Sequence, residues 1–564
     1  MSAFQAGIES NFCTEVNTAL RNRDANKLQS ILLLEPPFPP VYQQLIDSLK
    51  KKFPGNDSTA EKRLEDVVKR LVTEAGEGED DDGRPIASWS PMVTFLVGWM
   101  AFIRDINIEN LLETYERLSD LQQKANSALQ HPTKGILMLP TVVGYAKVFS
   151  RVAIGLDKHP ELIQHLVAAS VTDEGHRDTL PEKAANVVRQ AFIICLNDRN
   201  TAPGGIKAGK PDGKKVGIYK MANICLRILF QADKLESCQT IFDNIYNSSP
   251  PLSIYPASER VTYLYYLGRW HFAETNFYEA QLALQEAYDH SPSSPSCKSQ
   301  RRLILIYLIA SNILLGRFPS TAIYTLPEAH DLRARFEPLT RAIRRGDLET
   351  FRRITDLDLS HEHAAWFIHY RIFYQLGNYC EVYVWRSLFR KVFLLSGQQG
   401  ATERSAPTID LHAVLVAFQY FERRAHMTPG MAHADAGPGR RHITFVLQDF
   451  TPPPSSGYID PDFDGVDGLT PYIKTPDILE IESICGSLVM QGFLNGFISH
   501  KSKRFAITGA RKAGSALLAG FPNIWEVISK RKSQDVHGWR KQALSDTGGG
   551  GGVIRLSGAR PAGS

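Results

Sequence analysis

VYVWRSLFRKVFLL, residues 382–395, divides this chain in two. Its apolar residues Val384, Leu388, Val392 and Leu395 recur three or four apart, the spacing of one helix face. Arg386, Arg390 and Lys391 are expected to turn away from that face, so the stretch predicts a buried helix with a basic outer side. Upstream of it helical periodicity dominates. After Gly397 that texture is lost.

The periodicity upstream predicts helices near 40–53, 61–75, 91–104, 108–129, 139–156, 181–198 and 215–231, separated by Pro, Gly or charged breaks. Two breaks are long. GEGEDDDGRP (76–85) reads as an acidic low-complexity loop and NTAPGGIKAGKPDGKK (200–215) as a flexible basic connector. In VTYLYYLGRWHFAETNFYEAQLALQEAYDHSP (261–292), Leu267-Gly268, Ala280, Ala287 and Pro292 stand at the offsets of the tetratricopeptide pattern. In that pattern small residues let two antiparallel helices approach closely, and Pro ends the second. Leu264 occupies the Trp position and His271 the Tyr position, with Tyr263 and Tyr265 beside the first. The paired rhythm continues through RRLILIYLIASNILLGRF (301–318), LTRAIRRGDLETFRRIT (339–355) and residues 365–395. A right-handed α-solenoid is expected over 90–380, after an N-terminal helical region, 1–89, that carries the acidic loop.

Downstream, APTIDLHAVLVAFQYF (406–421) predicts one short helix with Thr408 or Asp410 as N-cap. Residues 424–475 are rich in Gly, Pro and Asp without helical period and read as a disordered insertion. Thr475-Pro476-Asp477 then opens a second helix, Gly492 turns the chain, and GFLNGFISH and KRFAIT read as two strands. Helix, helix and β-hairpin are the order of a winged helix, a relative of the helix-turn-helix. The expected fold is therefore mainly α, a helical-repeat, TPR-like α-solenoid ending in a winged helix (381–525), with 382–395 as the hinge and 526–564 as a disordered basic, Gly-rich tail.

The 564 residues, 43% of them hydrophobic, suffice for several packed cores, and a net charge of +4 leaves any polyanion case to local clusters. Seven scattered cysteines without a CxxC pair point to a reducing compartment. The start, MSAFQAGIESNF, has neither the basic nor the apolar region of a signal peptide. Met92–Ile103, bounded by Pro91 and Arg104, falls short of the ~20 residues a bilayer needs and reads as a core helix, so no membrane partner is expected.

Two motifs imitate chemistry. Gly204 to Lys210 fits the G-x-x-x-x-G-K phosphate loop, yet Pro211 replaces the Ser or Thr that would hold magnesium, and the preceding AFIICLND is expected to be helical. His361-Glu362-His363, with His369 nearby, imitates a metalloisopeptidase pair but lacks the Ser-x-x-Asp that would complete it. A helix start with solvated histidines is the simpler reading. With no other hydrolase, zincin or dinucleotide fingerprint, the chain reads as a non-enzyme with no catalytic residue, cofactor or metal.

The chemical signal that remains is charge. Lys501 to Lys541 hold ten Lys or Arg against Glu526 and Asp535. Lys501, Lys503, Arg504, Arg511 and Lys512 flank the strand FAIT, suit phosphate contacts along one edge, and are the candidate nucleic-acid-binding residues. Phe505 and Trp539 are candidates for base stacking. The competing readings are a solvated basic tail and, at Lys530-Arg531-Lys532, a nuclear-localisation stretch.

A helical stack ending in a winged helix resembles the PCI domain of the proteasome lid, the COP-nine signalosome and eukaryotic initiation factor three. RVTYLYYLGRWHF (260–272), RRLILIYLIASNILLGRFP (301–319), AIRRGDLETF (342–351), WRSLFRKVFLL (385–395) and SLVMQGFLNGFISH (487–500) look like segments of the PCI subunit of the nuclear mRNA export complex TREX two. They are almost as similar to its paralogue, the twelfth signalosome-associated subunit, across residues 210–525. The resemblance implies a scaffold that pairs, winged helix beside winged helix, with a large PCI-type protein. It also implies a small acidic disordered partner of the proteasome-lid type, largely sequence-independent RNA or DNA contact, and a place in the nucleus near pores. For the paralogue it implies splicing or transcription elongation. The insertion at 424–475 and the long tail depart from that pattern. Limited proteolysis should cut first within 424–475; a first cut within 382–395 would mean that the hinge helix is misplaced.

Overall fold

One helix of 24 residues, Phe373–Ser396, joins two kinds of structure. The computed structural model describes residues 7–35, 37–55, 57–79, 85–107, 109–159, 161, 179–355, 362–399, 405–425 and 476–530. Before the joining helix the chain is a helical-repeat stack; after it comes a winged helix.

Helices form where the period placed them: Pro40–Lys52, Ser58–Leu71, Ser90–Asp105, Leu111–Leu129, Leu139–Asp157, Leu180–Leu196 and Ile218–Gln231. Two more, Ile8–Arg21 and Ala25–Ile31, precede them. These early helices share the core of the stack. Phe12 stacks on Trp99 at 5.0 Å, Tyr42 meets the same indole edge-on, and Trp89 Nε1 donates to Ala128 O at 2.9 Å. Met92–Ile103 is a core helix as expected, with Phe95, Leu96 and Trp99 fully buried. Gly135–Asp157 has the length and apolarity of a membrane span, but Val142, Ala146, Phe149 and Ala153 within it are fully buried against its neighbours.

The basic segment 200–215 is not the loose connector its composition suggested. Ile206–Lys207 pairs antiparallel with Lys210–Pro211, and the lysines that follow reach back to helix ends. Lys215 Nζ donates to Leu196 O at 3.0 Å, and buried Lys214 donates to Gln130 O at 3.4 Å with Asp198 at 3.9 Å. Cations there meet the negative ends of two helix dipoles and their spare carbonyls. The acidic break is pinched by a pairing of Gly78–Glu79 with Pro85–Ile86; residues 80–84 lie outside the described residues.

Ala257–Ala273 and Phe277–His290 form the predicted repeat. A Cβ on Gly268 would stand 2.5 Å from Leu284 Cγ and 3.3 Å from Ala280 O, so the small residues do set the helix spacing. Arg269, beside it, lies over the rings of Phe230 and Tyr307 at 4.8 Å each and donates to Tyr265 Oη. Aromatic faces thus offset its charge where the packing is tightest. Lys298–Leu314, Leu332–Arg345, Leu348–Thr355 and Glu362–His369 complete the stack.

In the hinge helix Val384, Leu388 and Val392 are buried, but Leu395 is 79% exposed, since the last turn packs through Phe393 against Phe521 instead. Arg390 and Lys391 face outward. Arg386 does not: half-buried, it donates to Phe521 O at 2.9 Å and Pro522 O at 2.6 Å, and burial lowers it to about 10. Thr408 belongs to a strand, Thr408–Asp410, whose last residue caps the helix Leu411–Ala425 by accepting from His412 N. Asp477 caps Ile478–Met490 by accepting from Glu480 N. The strands Gly496–Ser499 and Arg504–Ile507 pair antiparallel, and Thr408–Asp410 adds to the other side of Arg504–Ile507, making three strands where two were expected. Arg424 belongs to the helix rather than to the insertion, and 426–475 lie outside the described residues. The tail also starts later than expected. Ile524–Ser529 is helical and returns to the stack, with Trp525 beneath Arg317 at 4.8 Å; residues 531–564 lie outside the described residues.

Gly268→Ala tests the repeat contact. Helix propensity alone favours Ala by about 1 kcal/mol. The crowding against Leu284 should reverse the sign and destabilise by about 1–3 kcal/mol, read as a lower urea midpoint at unchanged slope.

Candidate nucleic-acid interface

The hairpin of the wing turns at 500–503, and Lys503 takes left-handed φ of 50° there. Its carbonyl accepts from Leu411 N at 3.0 Å, which fixes the turn to the start of the first winged-helix helix. Its side chain points back: Lys503 Nζ donates to Glu482 Oε1 at 2.9 Å, and His500 Nδ1 lies 2.7 Å from Glu482 Oε2. These contacts, with the Lys503 hydrogen bond foremost, hold the Glu482 carboxyl below the usual carboxylate range. Lys501 is exposed at the turn. Arg504 opens the central strand, exposed, and donates to Gln398 Oε1 at 3.3 Å.

Arg511 and Lys512 are exposed on the short turn of helix Ala510–Ala513, between the left-handed residues Gly509 and Gly514. The five candidate cations therefore divide into two groups. Lys501, Lys503 and Arg504 sit at one end of a four-residue strand about 13 Å long; Arg511 and Lys512 follow its other end. Phe505 is fully buried in the sheet core, where it cannot stack on a base. Trp539 lies outside the described residues.

Ile478–Met490 stands in the position of a recognition helix, the element that enters the major groove in helix-turn-helix readers. Its sequence, ILEIESICGSLVM, contains no Lys or Arg, and with its cap it presents Asp477, Glu480 and Glu482. Against a polyanion those charges repel. The arrangement places the cations on the wing and none on this helix. Glu482 was missed in the sequence because its partners are 18 and 21 residues away.

The other two motifs lie in the helical stack. Gly204 to Lys210 follows a helix and forms a hairpin instead of leading from a strand into a helix. His363 and His369 lie on Glu362–His369, while His361 falls outside the described residues. Among the described residues no three His, Cys, Asp or Glu are placed to hold a metal ion. All seven cysteines are free, and burial pushes the Cys195 and Cys485 thiols up to about 12, far from nucleophilic at neutral pH.

No family model matches the chain. A PCI domain-containing protein of Schizosaccharomyces pombe is 24% identical over 88% of this chain and 92% of that protein. The chain is similar to PCI-domain proteins. PCI domain-containing protein 2 of Danio rerio is 32% identical over 38% of this chain and 49% of its own length. A CSN12 homolog of Gibberella zeae is 30% identical over 44% of this chain and 50% of that protein. The chain thus spans about half the length of these last two relatives. Helical stack, winged helix and similarities together support a PCI-domain protein of the type that these two names share.

Glu482→Gln should free Lys503 and remove a negative charge beside the wing. Binding to a labelled oligonucleotide should tighten, and the slope of log affinity against log salt should steepen by about 0.7 for a single strand or 0.9 for duplex DNA. Stability should move by no more than about 0.5 kcal/mol. Unchanged affinity would place Lys503 outside the interface.

Proposed function

We propose that this chain is a non-catalytic PCI scaffold subunit of the nuclear mRNA export complex TREX two, coupling transcription to export. Its wing would contribute to a composite surface for RNA or DNA. The observation that carries this reading is the single helix, Phe373–Ser396, that fastens a helical stack rigidly to a winged helix with a cationic hairpin. Such a joint would position partners and nucleic acid relative to one another, and among the described residues no three His, Cys, Asp or Glu are placed to hold a metal ion. The similarity to PCI domain-containing protein 2 supports the PCI part of the reading. In this reading the winged helix pairs with that of a large PCI-type protein, a small acidic disordered subunit of the proteasome-lid type binds the stack, and the complex resides in the nucleus near pores. No membrane takes part.

The similarity to CSN12 homologs favours a second reading, a signalosome-associated paralogue acting in splicing or transcription elongation. Purifying the endogenous protein and identifying its large partner separates the two. Recovery of the export scaffold with the small acidic protein sustains the first; recovery of signalosome subunits without them sinks it.

Partners that bind only the folded chain stabilise it by mass action, by about 2.7 kcal/mol at a hundredfold excess over Kd. Co-expression with the large PCI-type partner and the small acidic subunit should raise soluble yield and Tm. An unchanged Tm at saturating partner would count against the scaffold reading.

A further inference from the structure

The outer face of the hinge helix carries charge that no described neighbour neutralises. Between Ser387 and Gly397 its exposed side chains include Arg390, Lys391, Leu394 and Leu395, over a run of about 15 Å at 1.5 Å per residue. At one end of the run the turn after Leu332–Arg345 closes in. Gly346, left-handed at φ +63°, lies so near that a Cβ would stand 2.6 Å from Leu388 N and 3.0 Å from Ser387 C. Exposed Arg345 is thereby set beside the run. At the other end Gln398 bridges to Thr408 and accepts from Arg504. Arg345 thus stands near the Ser387 end of the run and Arg504 near its Gln398 end, with Arg390 and Lys391 exposed between them.

Several surrounding arginines are engaged: Arg341 with Glu337, Arg352 with Glu381 and Glu422, Arg353 and Arg424 with Glu349, and Arg344 over the Phe318 ring. Among the described residues Arg345, Arg390 and Lys391 have no carboxylate within ion-pair distance. The acids next to the run are engaged. Asp347 caps the following helix through Thr350 and meets Arg424, while Asp410 accepts from His412 N and sits opposite Arg504 across the strands.

We propose that this surface is a track for single-stranded nucleic acid that extends the wing's phosphate contacts across the hinge helix to Arg345. The proposal rests on the wing being a nucleic-acid surface. Unpaired cations at both ends of the run meet phosphates, and they release condensed counterions in doing so. Leu394 and Leu395, 50% and 79% exposed, lie between them and offer apolar contact to bases. A single strand can turn its bases outward to such a surface; a duplex keeps them stacked inside.

The test uses the full chain and a fluorescein-labelled single-stranded oligonucleotide of mixed sequence, titrated at several salt concentrations. Replacing Arg345, Arg390 and Lys391 together by Gln should flatten the salt slope by about two units, at 0.7 per contact, and weaken binding by about tenfold or more at 0.1 M salt. A second variant, Arg345→Lys with Arg390→Lys, keeps the charge and should bind as the parent does, which separates lost charge from a disturbed hinge. Lys501→Gln with Arg504→Gln, made separately, should flatten the slope by a further unit or so. If the wing pair loses affinity while the triple Gln variant binds with the parental slope, the track is wrong and the wing reading stands. If neither set alters binding, both fail. If a polyglutamate peptide binds the parent but not the triple variant, and the oligonucleotide binds both equally, the surface serves an acidic protein and the track is overturned.

Discussion

One helix packs against the stack and the winged helix at once within a single continuous core, and the rest of the molecule depends on that double burial. Tyr383, Val384, Leu388, Phe389, Val392 and Phe393 of Phe373–Ser396 are all buried, and the helix packs against Leu332–Arg345 and Leu348–Thr355 on the stack and against Leu411–Ala425 on the winged helix. Burying side chains of this size contributes roughly 1.5–3 kcal/mol each, an upper estimate because the unfolded chain is already partly collapsed. Gly346 lets the stack come within backbone contact of the helix, and Arg386 ties the helix to the carbonyls of Phe521 and Pro522 beyond the sheet. Leaving those carbonyls without a donor would cost on the order of 1–3 kcal/mol. The hinge is therefore packed on both of its sides. Tyr383 adds to the lock, its hydroxyl donating to Leu314 O of the stack while its ring meets Phe493 of the wing at 5.6 Å.

What the sequence disclosed followed from the range of each signal. A helix face repeats every three or four residues, so the stack, its repeat at 257–290 and the core helix at Met92–Ile103 were legible from local pattern. Gly268 could be assigned a packing role because its partners Ala280 and Leu284 lie in the next helix of the same motif. Thr408–Asp410 was not legible as a strand, since three residues are too few to display alternation. Arg386 was read as solvent-facing because the carbonyls it caps come 135 and 136 residues later. Leu395 failed in the opposite sense: its phase on the helix is right, but in the last turn it is Phe393, on another side, that finds its partner in Phe521. At the candidate site, the cations themselves were visible, while the engagement of Lys503 by Glu482 depended on tertiary contact.

The charge pattern separates structural cations from available ones. Arg352 and Arg424 join the stack to the first helix of the winged domain through Glu422 and Glu349, and Lys214 and Lys215 cap helix ends. These groups are committed to holding the chain together. Lys501, Arg504, Arg511 and Lys512 are exposed, with Glu482 restraining Lys503 beside them. A small net charge is compatible with such local concentration, because screening over about 10 Å at 0.1 M salt makes each patch act through its own neighbourhood.

Electrostatics also limits what kind of recognition this winged helix can perform. Bidentate reading of guanine uses Arg or Lys on the helix that enters the groove, and Ile478–Met490 has neither, carrying two glutamates, two serines and apolar side chains instead. Phosphate contact from a hairpin needs only cations held at the tip, and the left-handed Lys503 with its carbonyl bound to Leu411 N holds that tip in place. Contacts of this type position a polymer without choosing its sequence. On the proposed reading, sequence choice would fall mainly to another subunit or to the nucleic acid's own structure.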